Sequence, residues 1–329
     1  MNTEYPLTQL QKKEYCTMKK ICIENEYSYV FSAHKSPVAI VEPGEMVEVY
    51  TIDTYGGRAV EESDWPANLT KIPRPGSNPL TGPIYINGVK PGDALAVHIH
   101  KIEPTTNYGM SHVASTGTLS PSPFTNMITP GYEHHMYKYL LDGDRVYCPT
   151  RPHLSFDADP FLGCMATAPI LEDIYAVKMF EFGGNMDVPD VKAGNTVYFP
   201  VAVEGAYFYT GDAHAKQGHG EVCGVAVEIA AKVTLSFEIV KNMNIKHPRI
   251  ESPTHYMAVG IMRPLEDAGR MALTELIEWM AEKGWDKVDA YQMLSQVVEM
   301  HPGNLVSAYY SMVAMIEKRY ADYFINHPD

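Results

Sequence analysis

The sequence predicts a mainly β fold with late helices, an α+β chain whose body is a sandwich- or barrel-like assembly of short hairpins. Three observations carry that expectation. VEPGEMVEVYTI (41–52) and VKPGDALAVHIHKI (89–102) share a Pro-Gly-acidic turn followed by an alternating apolar strand, and VKAGNTVYFPVAV (191–203) is a third version. KVTLSFEIVKN (232–242) sets Val233, Leu235, Phe237 and Ile239 on one face, the pattern of a half-buried strand. After Arg263 the apolar period changes from two to the helical one.

In chain order, residues 1–20 read as an N-terminal arm and 21–329 as the β-rich body, with substructure at about 21–180 and 181–329. YSYVFSAH (27–34) alternates, and 36–53 reads as strand, turn at Pro43-Gly44, strand, with Val47, Val49 and Thr51 sharing a face. A long polar loop rich in Gly and Pro follows at 54–79, and such loops are often functional covers. Residues 79–104 repeat the strand-turn-strand design. Residues 105–135 are loop-rich, Arg145–Cys148 reads as a short strand, and 151–169 has little periodicity. Tyr198–Ala206, Val222–Ala230 and 254–262 are strand-like. Residues 264–284 form a helix with Met271, Leu273, Leu276, Ile277 and Met280 as its stripe and Gly284 as its C-cap. A second helix runs from Trp285 to Met300, capped by Asp286 or Asp289, with Ala290, Met293, Leu294, Val297 and Val298 as its stripe. SAYYSMVAMIEK (307–318) fits strand or helix equally.

The 329 residues, 45% hydrophobic and 20% charged, suffice for a large buried core. A net charge of −14 without any Lys/Arg block argues against nucleic acid and anionic membranes as partners. Five cysteines, an odd number with no CxxC pair, fit reduced thiols in the cytoplasm better than a disulfide framework. The polar N-terminus lacks the apolar core of a secretory signal, and no apolar run is long enough to cross a membrane as a helix.

The densest chemistry lies between Gly183 and Glu228. In GDAHAKQGHGE (211–221), Asp212 and His214 share a strand face, and an imidazole with a carboxylate can ligate a divalent ion such as zinc. Glu221, entering the apolar run VCGVAVEI, could serve as a general base. A Gly-rich loop with solvated polar side chains explains the same residues, and spacing does not decide between the two. Asn185 and Asp187 in FGGNMD alternate too, although Asx residues beside a Gly pair read more readily as a turn. His98 and His100 share a strand face, as ligands or as two solvent-facing histidines. Cys223 has His214 and His219 nearby in sequence, but a thiol inside an apolar strand is commonly inert. His134, His135 and His301 lack partners at ligand spacing and read as surface or loop residues.

GGNMD (183–187), KAGNTVYFPVAVEGAYFYTGDAHAKQGHGEVCG (192–224), GPIYINGVKPGDALAVHI (82–99) and DAYQMLS (289–295) together resemble the acetamidase/formamidase family. The GD-x-H-x-x-QG-x-GE-x-C-G run is the specific part, and the resemblance extends from about residue 38 to near the C-terminus. It implies a mostly β, cytoplasmic hydrolase of short linear amides, a homo-oligomer (dimer or higher) with a metal, and a strand after Leu305. On this footing the expected function is metal-dependent cleavage of a small carboxamide to carboxylate and ammonia. The expected cofactor is a divalent metal, zinc with calcium as the alternative. His98, Asp187, Asp212 and His214 are the expected ligands, with His98 preferred to His100 because the family often carries a ligand type there. Glu221 is the expected base, and Asn185, Gln217, His219 and Cys223 the substrate-binding residues. The alternatives are a cysteine-nucleophile amidase acting through Cys223, and a non-catalytic ligand- or metal-binding β protein on the same scaffold. Two departures bear on the substrate: His219 stands where the family commonly has Asp, and Phe180-Glu181-Phe182 where Pro-His is common. The loop at 105–135 also diverges.

Overall fold

Strands with one apolar face must bury it against another such face. The computed structural model, which describes residues 18–23, 26–64, 77–114, 117–119 and 135–327, meets this requirement with two large sheets. The first carries, in spatial order, Lys19–Ile21, Val47–Thr51, Ala231–Val240, Ala94–Pro104, Thr196–Pro200, Arg249–Glu251, His255–Met262, Tyr310–Glu317 and Glu299–Pro302. The second runs Arg151–Asp157, Arg145–Cys148, Met136–Asp142, Tyr108–His112, Val227–Ile229, Phe208–Lys216, Phe161–Ala166, Gly183–Asn185 and Met179–Phe180, with Leu80–Ile86 and Ala39–Val41 attached at Phe208–Lys216. Val47, Val49, Val97, Leu235 and Phe237 of the first sheet share one buried core with Ile84, Leu162, Met165, Phe208 and Val227 of the second. The Phe208 and Phe237 rings meet across it with centroids 5.2 Å apart.

The Pro-Gly turns do not close hairpins. Ala39–Val41 pairs in parallel with Leu80–Ile86 in the second sheet, whereas Val47–Thr51 pairs with Ala231–Val240 in the first. Leu80–Ile86 and Ala94–Pro104 are divided between the sheets in the same way. Each turn therefore carries the chain across the core. Alternation reveals which face of a strand is buried, not which neighbour completes its hydrogen bonds, so strands on opposite sides of one core look like partners. Both sheets also draw strands from either side of residue 180.

Other differences have local causes. The strand at 27–34 shrinks to Val30–Phe31, and Val222–Ala230 to Val227–Ile229, with Val222 and Cys223 in a turn. The aperiodic stretch 151–169 holds two strands, and Phe161–Ala166 is buried at every position, so no alternation could mark it. The ambiguous tail is the strand Tyr310–Glu317, paired with His255–Met262 along its length. Most of the 1–20 arm, and parts of both long loops, lie outside the described residues.

Helix α1 (Leu265–Glu282) buries Ala268, Gly269, Ala272, Leu276, Trp279 and Met280, a stripe rotated from the one expected. Small residues define it because the helix lies almost on the strand His255–Met262: a Cβ on Gly260 would collide with the Ala268 carbonyl oxygen and stand 2.6 Å from the Ala272 nitrogen. The helix ends in a Schellman turn, with Gly284 (φ +98°) donating to Ala281 O at 3.0 Å and Trp285 to Met280 O at 3.2 Å. Helix α2 (Lys287–Val297) starts at Asp286, whose carboxylate accepts from the amides of Val288 and Asp289. It stops three residues short of the expected end because Glu299–Pro302 joins the first sheet.

The contact at Gly260 is testable. Gly260→Ala should lower unfolding stability in urea by about 1–3 kcal/mol, the usual cost of overpacking, whereas Gly218→Ala, with open space around it, should stay within about 0.5 kcal/mol.

Candidate active site

Strand Phe208–Lys216 is buried from Phe208 to Ala215 and carries Asp212 and His214 to one point, with His214 Nε2 3.6 Å from Asp212 Oδ1. The antiparallel neighbour places Glu228 opposite His214, and its Oε2 lies 3.3 Å from the same nitrogen. On the other side, Gly163 of Phe161–Ala166 leaves the space these groups need. A Cβ there would lie 2.5 Å from Asp187 Oδ1, 2.8 Å from Asp212 Oδ2 and 2.9 Å from His214 Cε1. Asp187 follows the strand Gly183–Asn185, and Glu221 sits where Gly220 bridges to Asn304. Asp187, Asp212, His214, Glu221 and Glu228 are all buried.

The backbone is held in an uncommon state at this point. Seven described non-glycine residues have left-handed φ, and four belong to this cluster: Asn78 (57°), Asp187 (49°), Asp212 (56°) and Glu221 (49°). Such conformations cost of order 1–3 kcal/mol each and gather at functional sites, where surrounding structure enforces them.

A set of amides fixes the acids. Asn78 Nδ2 donates to Asp212 Oδ2 (2.8 Å) and Asn185 Oδ1 (2.6 Å), and the Cys164 thiol also donates to Asn185 Oδ1. Asn185 Nδ2 and Asn304 Nδ2 both donate to Asp187 Oδ2, at 2.7 and 2.5 Å. Gln217 Nε2 donates to the carbonyls of Asp187 (2.9 Å) and Gly303 (3.2 Å). Its Oε1 must then face His214 Nδ1, 3.1 Å away, so Nδ1 carries the proton and Nε2 points at the carboxylates.

Three of the seven buried side-chain polar atoms left without a hydrogen-bond partner among the described residues meet within this cluster. Asp187 Oδ1, His214 Nε2 and Glu228 Oε2 are buried without a hydrogen-bond partner. Donor atoms of Asp187, Asp212 and His214 lie within 4.8 Å of one another, as do those of His214, Glu221 and Glu228. Burial, then the Asp212 charge, raises the Asp187 carboxyl to about 7. Burial lifts Glu228 to about 8, and burial with Asp187 beside it drives Glu221 well up. Burial opposes protonation of His214, yet Glu228 and Asp212 push its pKa well above the imidazole range. So many acids around one imidazole resist ionisation unless a cation joins them. The donor set, carboxylate oxygens and an imidazole nitrogen whose other nitrogen is held by an amide, fits a divalent metal.

The expected residues separate into two groups. Asp187, Asp212, His214, Glu221, Asn185 and Gln217 come together. Asn185 and Gln217 spend their amides on Asp187 and His214, which makes them positioning groups. His98 does not join them. It lies on the outer face of the first sheet, with Nδ1 2.8 Å from Thr196 Oγ1 and Nε2 3.2 Å from Glu238 Oε2. Its buried neighbours Val97 and Ile99 take the inner face, so alternation itself turns His98 outward. His219 is exposed and lies against His301, with ring centroids 4.0 Å apart and planes tilted by 36°, and His301 Nε2 reaches Asp190 Oδ2 at 3.1 Å. His301 therefore has partners that spacing could not reveal. Cys223 sits exposed in a turn, and partial burial pushes its thiol pKa up, the opposite of what a nucleophile needs. Phe180 and Phe182 pack in a side cluster, Phe180 against Tyr309 and Phe182 against Phe31.

Glu228, Asn78, Asn304 and Cys164 were not anticipated. A lone carboxylate within the apolar run AVEIA was the available signal for Glu228. The two asparagines come from loops, where nothing in spacing marks them.

Known proteins share this arrangement of chain. The family model described as the acetamidase/formamidase family matches residues 32–178 and 174–316. The crystal structure of the acetamidase from Yersinia enterocolitica superposes with a TM-score of 0.83 at 36% identity, covering 90% of each chain. The formamidase of Methylophilus methylotrophus is 25% identical over 340 residues, 82% of this chain and 83% of that protein. A Schizosaccharomyces pombe relative is 24% identical over 271 residues, 65% of this chain, and the match spans 64% of that relative's length. The chain belongs to the acetamidase/formamidase family.

Proposed function

We propose that this chain is a metal-dependent amidohydrolase that cleaves a linear carboxamide to carboxylate and ammonia. Family membership, with a formamidase and an acetamidase among its relatives, supports the amide chemistry. The observation that carries the metal reading is the trio of buried, unpartnered donor atoms on Asp187, His214 and Glu228. Asp187, Asp212, His214 and Glu228 would hold the ion. The imidazole nitrogen favours zinc over calcium, which prefers an all-oxygen shell. A divalent cation held there supplies Lewis acidity to a carbonyl and acidifies water.

The remaining work falls to the chain's own groups. Glu221 alone of the clustered acids also lines the adjoining cavity, so it can reach both water and substrate. It takes the proton of the attacking water and passes it to the departing nitrogen. Water adds to the carbonyl carbon, the C–N bond breaks, and nitrogen leaves as ammonia. Gln217 keeps His214 in the tautomer that offers Nε2, and Asn185 with Asn304 keeps one Asp187 oxygen turned away from the shared space. A cysteine mechanism at Cys223 has the opposite support, since burial shifts its thiol pKa up, away from the thiolate a nucleophile needs.

The proposal extends to a cytoplasmic homo-oligomer. Free thiols at Cys22, Cys148, Cys164 and Cys223 support a reducing compartment, and oligomerisation rests on the family resemblance. Among the described residues no helix is long and apolar enough to cross a membrane.

Ammonia release from a panel of small amides, with elemental analysis of the purified chain, tests the reading as a whole. No release from any amide together with no bound metal would overturn it. Glu221→Gln should cut turnover by about 10²–10⁴-fold, the usual range for a general base, with bound metal retained. Turnover retained in that variant would remove Glu221 from the role. Chelation should abolish activity and lower the thermal midpoint, since an ion bound only by the folded chain stabilises it. His214→Ala should lose the metal, whereas His98→Ala should keep both metal and turnover.

A further inference from the structure

The roles above fix where the bond breaks but not what the carbonyl carries. A cavity of about 420 Å³ opens beside Glu221 and Gln217. Its described wall is largely apolar: Tyr137, Tyr139, Leu154, Phe156, Val225 and Val227. The polar groups in that wall are mostly committed elsewhere. Ser111 Oγ donates to Val225 O at 3.4 Å, His112 Nδ1 meets Tyr55 Oη at 2.8 Å, and the Gln217 amide holds His214 and two carbonyls. Three rings form one side, with Tyr137 and Tyr139 centroids 6.5 Å apart at 25° and Tyr139 and Phe156 5.6 Å apart. The Arg151 guanidinium lies 4.6 Å from the Tyr137 centroid and steadies that ring.

A cavity of this size lies within the roughly 300–1,000 Å³ range of sites that enclose drug-sized ligands. Formamide offers it only a hydrogen and acetamide a single methyl. Water would fill most of an apolar chamber around either of them. An aromatic group can instead contact the three rings at the 4.5–7 Å centroid spacing that such pairs prefer.

We propose that this cavity receives the acyl group of the substrate, and that the preferred substrates are primary amides bearing an aromatic or branched apolar group, of which phenylacetamide is the probe. The carboxamide then faces Glu221 while the ring rests among Tyr137, Tyr139 and Phe156. This assignment rests on the hydrolase reading for turnover, but not for binding.

Two measurements on the intact chain separate them. The first is kcat/KM for formamide, acetamide, isobutyramide and phenylacetamide. The second is binding of acetamide and phenylacetamide by calorimetry. Specificity should rise about fourfold for each added buried methylene, the equivalent of ~0.8 kcal/mol. Phenylacetamide should bind more tightly than acetamide. Leu154→Trp, which fills the chamber from an edge strand, should reduce the phenylacetamide-to-acetamide binding ratio at least tenfold, and Leu154→Ala should not reverse the preference. Turnover of acetamide with equal or poorer turnover and binding of phenylacetamide overturns the cavity assignment and leaves the hydrolase standing. Tight phenylacetamide binding that Leu154→Trp weakens, without hydrolysis of any amide, supports the cavity and overturns the hydrolase.

Discussion

Four carboxylates buried around one imidazole are the constraint on which this structure turns. Asp187, Asp212, Glu221 and Glu228 are each less than a tenth exposed, and His214 stands between them. Removing an ion from water costs several kcal/mol unless close partners replace the lost hydration. Hydrogen bonds supply part of that replacement here, through Asn78 to Asp212 and through Asn185 and Asn304 to Asp187. They do not supply all of it, because an oxygen on Asp187, another on Glu228 and a nitrogen on His214 remain unpartnered. A polar network left incomplete at one location is costly in a purely structural core and suited to a site that takes a ligand.

The unusual backbone follows from the same demand. Period-two geometry alone would not turn so many acids toward one point. The left-handed residues Asn78, Asp187, Asp212 and Glu221 break the pleat where the donors must converge. Their conformations persist because neighbouring segments lock them. Gly220 donates to Gly303 O and accepts from Leu305, which ties the Glu221 turn to the loop carrying Asn304. Ser311 Oγ donates to Met186 O and accepts from the Asn304 amide, tying that loop to Asp187. A change at one of these loops therefore moves two groups of the site together.

The sequence was most legible where a single physical pattern acts alone. Alternation located Val47–Thr51, Ala94–Pro104 and Ala231–Val240, and the change of period located α1 and α2. The Asp212–His214 spacing, with glycines around Glu221, located the centre of the candidate site. Legibility failed where two influences compete. The Pro-Gly turns looked like hairpins because strands facing each other across a core have the same pattern as strands bonded side by side. Phe161–Ala166 showed no periodicity because burial on both faces erases alternation. The stripe of α1 was misplaced because alanines, not large residues, let the helix approach Gly260. Glu228 reaches the site through the register of its strand against the preceding one, and Asn304 through a bridge to a segment distant in sequence, neither of which local spacing records.

The contrast between His98 and His214 shows why the chemistry gathers on the second sheet. Both histidines sit on strands at a spacing suited to ligands. His98 belongs to a strand with one face turned to solvent, so its imidazole meets Thr196 and the exposed Glu238. His214 belongs to a strand enclosed on both faces, where even a polar side chain is buried. Enclosure makes each polar group there expensive, and it also makes each charge effective, because little water screens it. The first sheet contributes none of the five clustered ionisable residues; its role is to close the core behind Phe208–Lys216 and hold that strand fixed. Glu221 then lies at the border between the dry cluster and the cavity, the one place where an acid can meet water and still sense its neighbours.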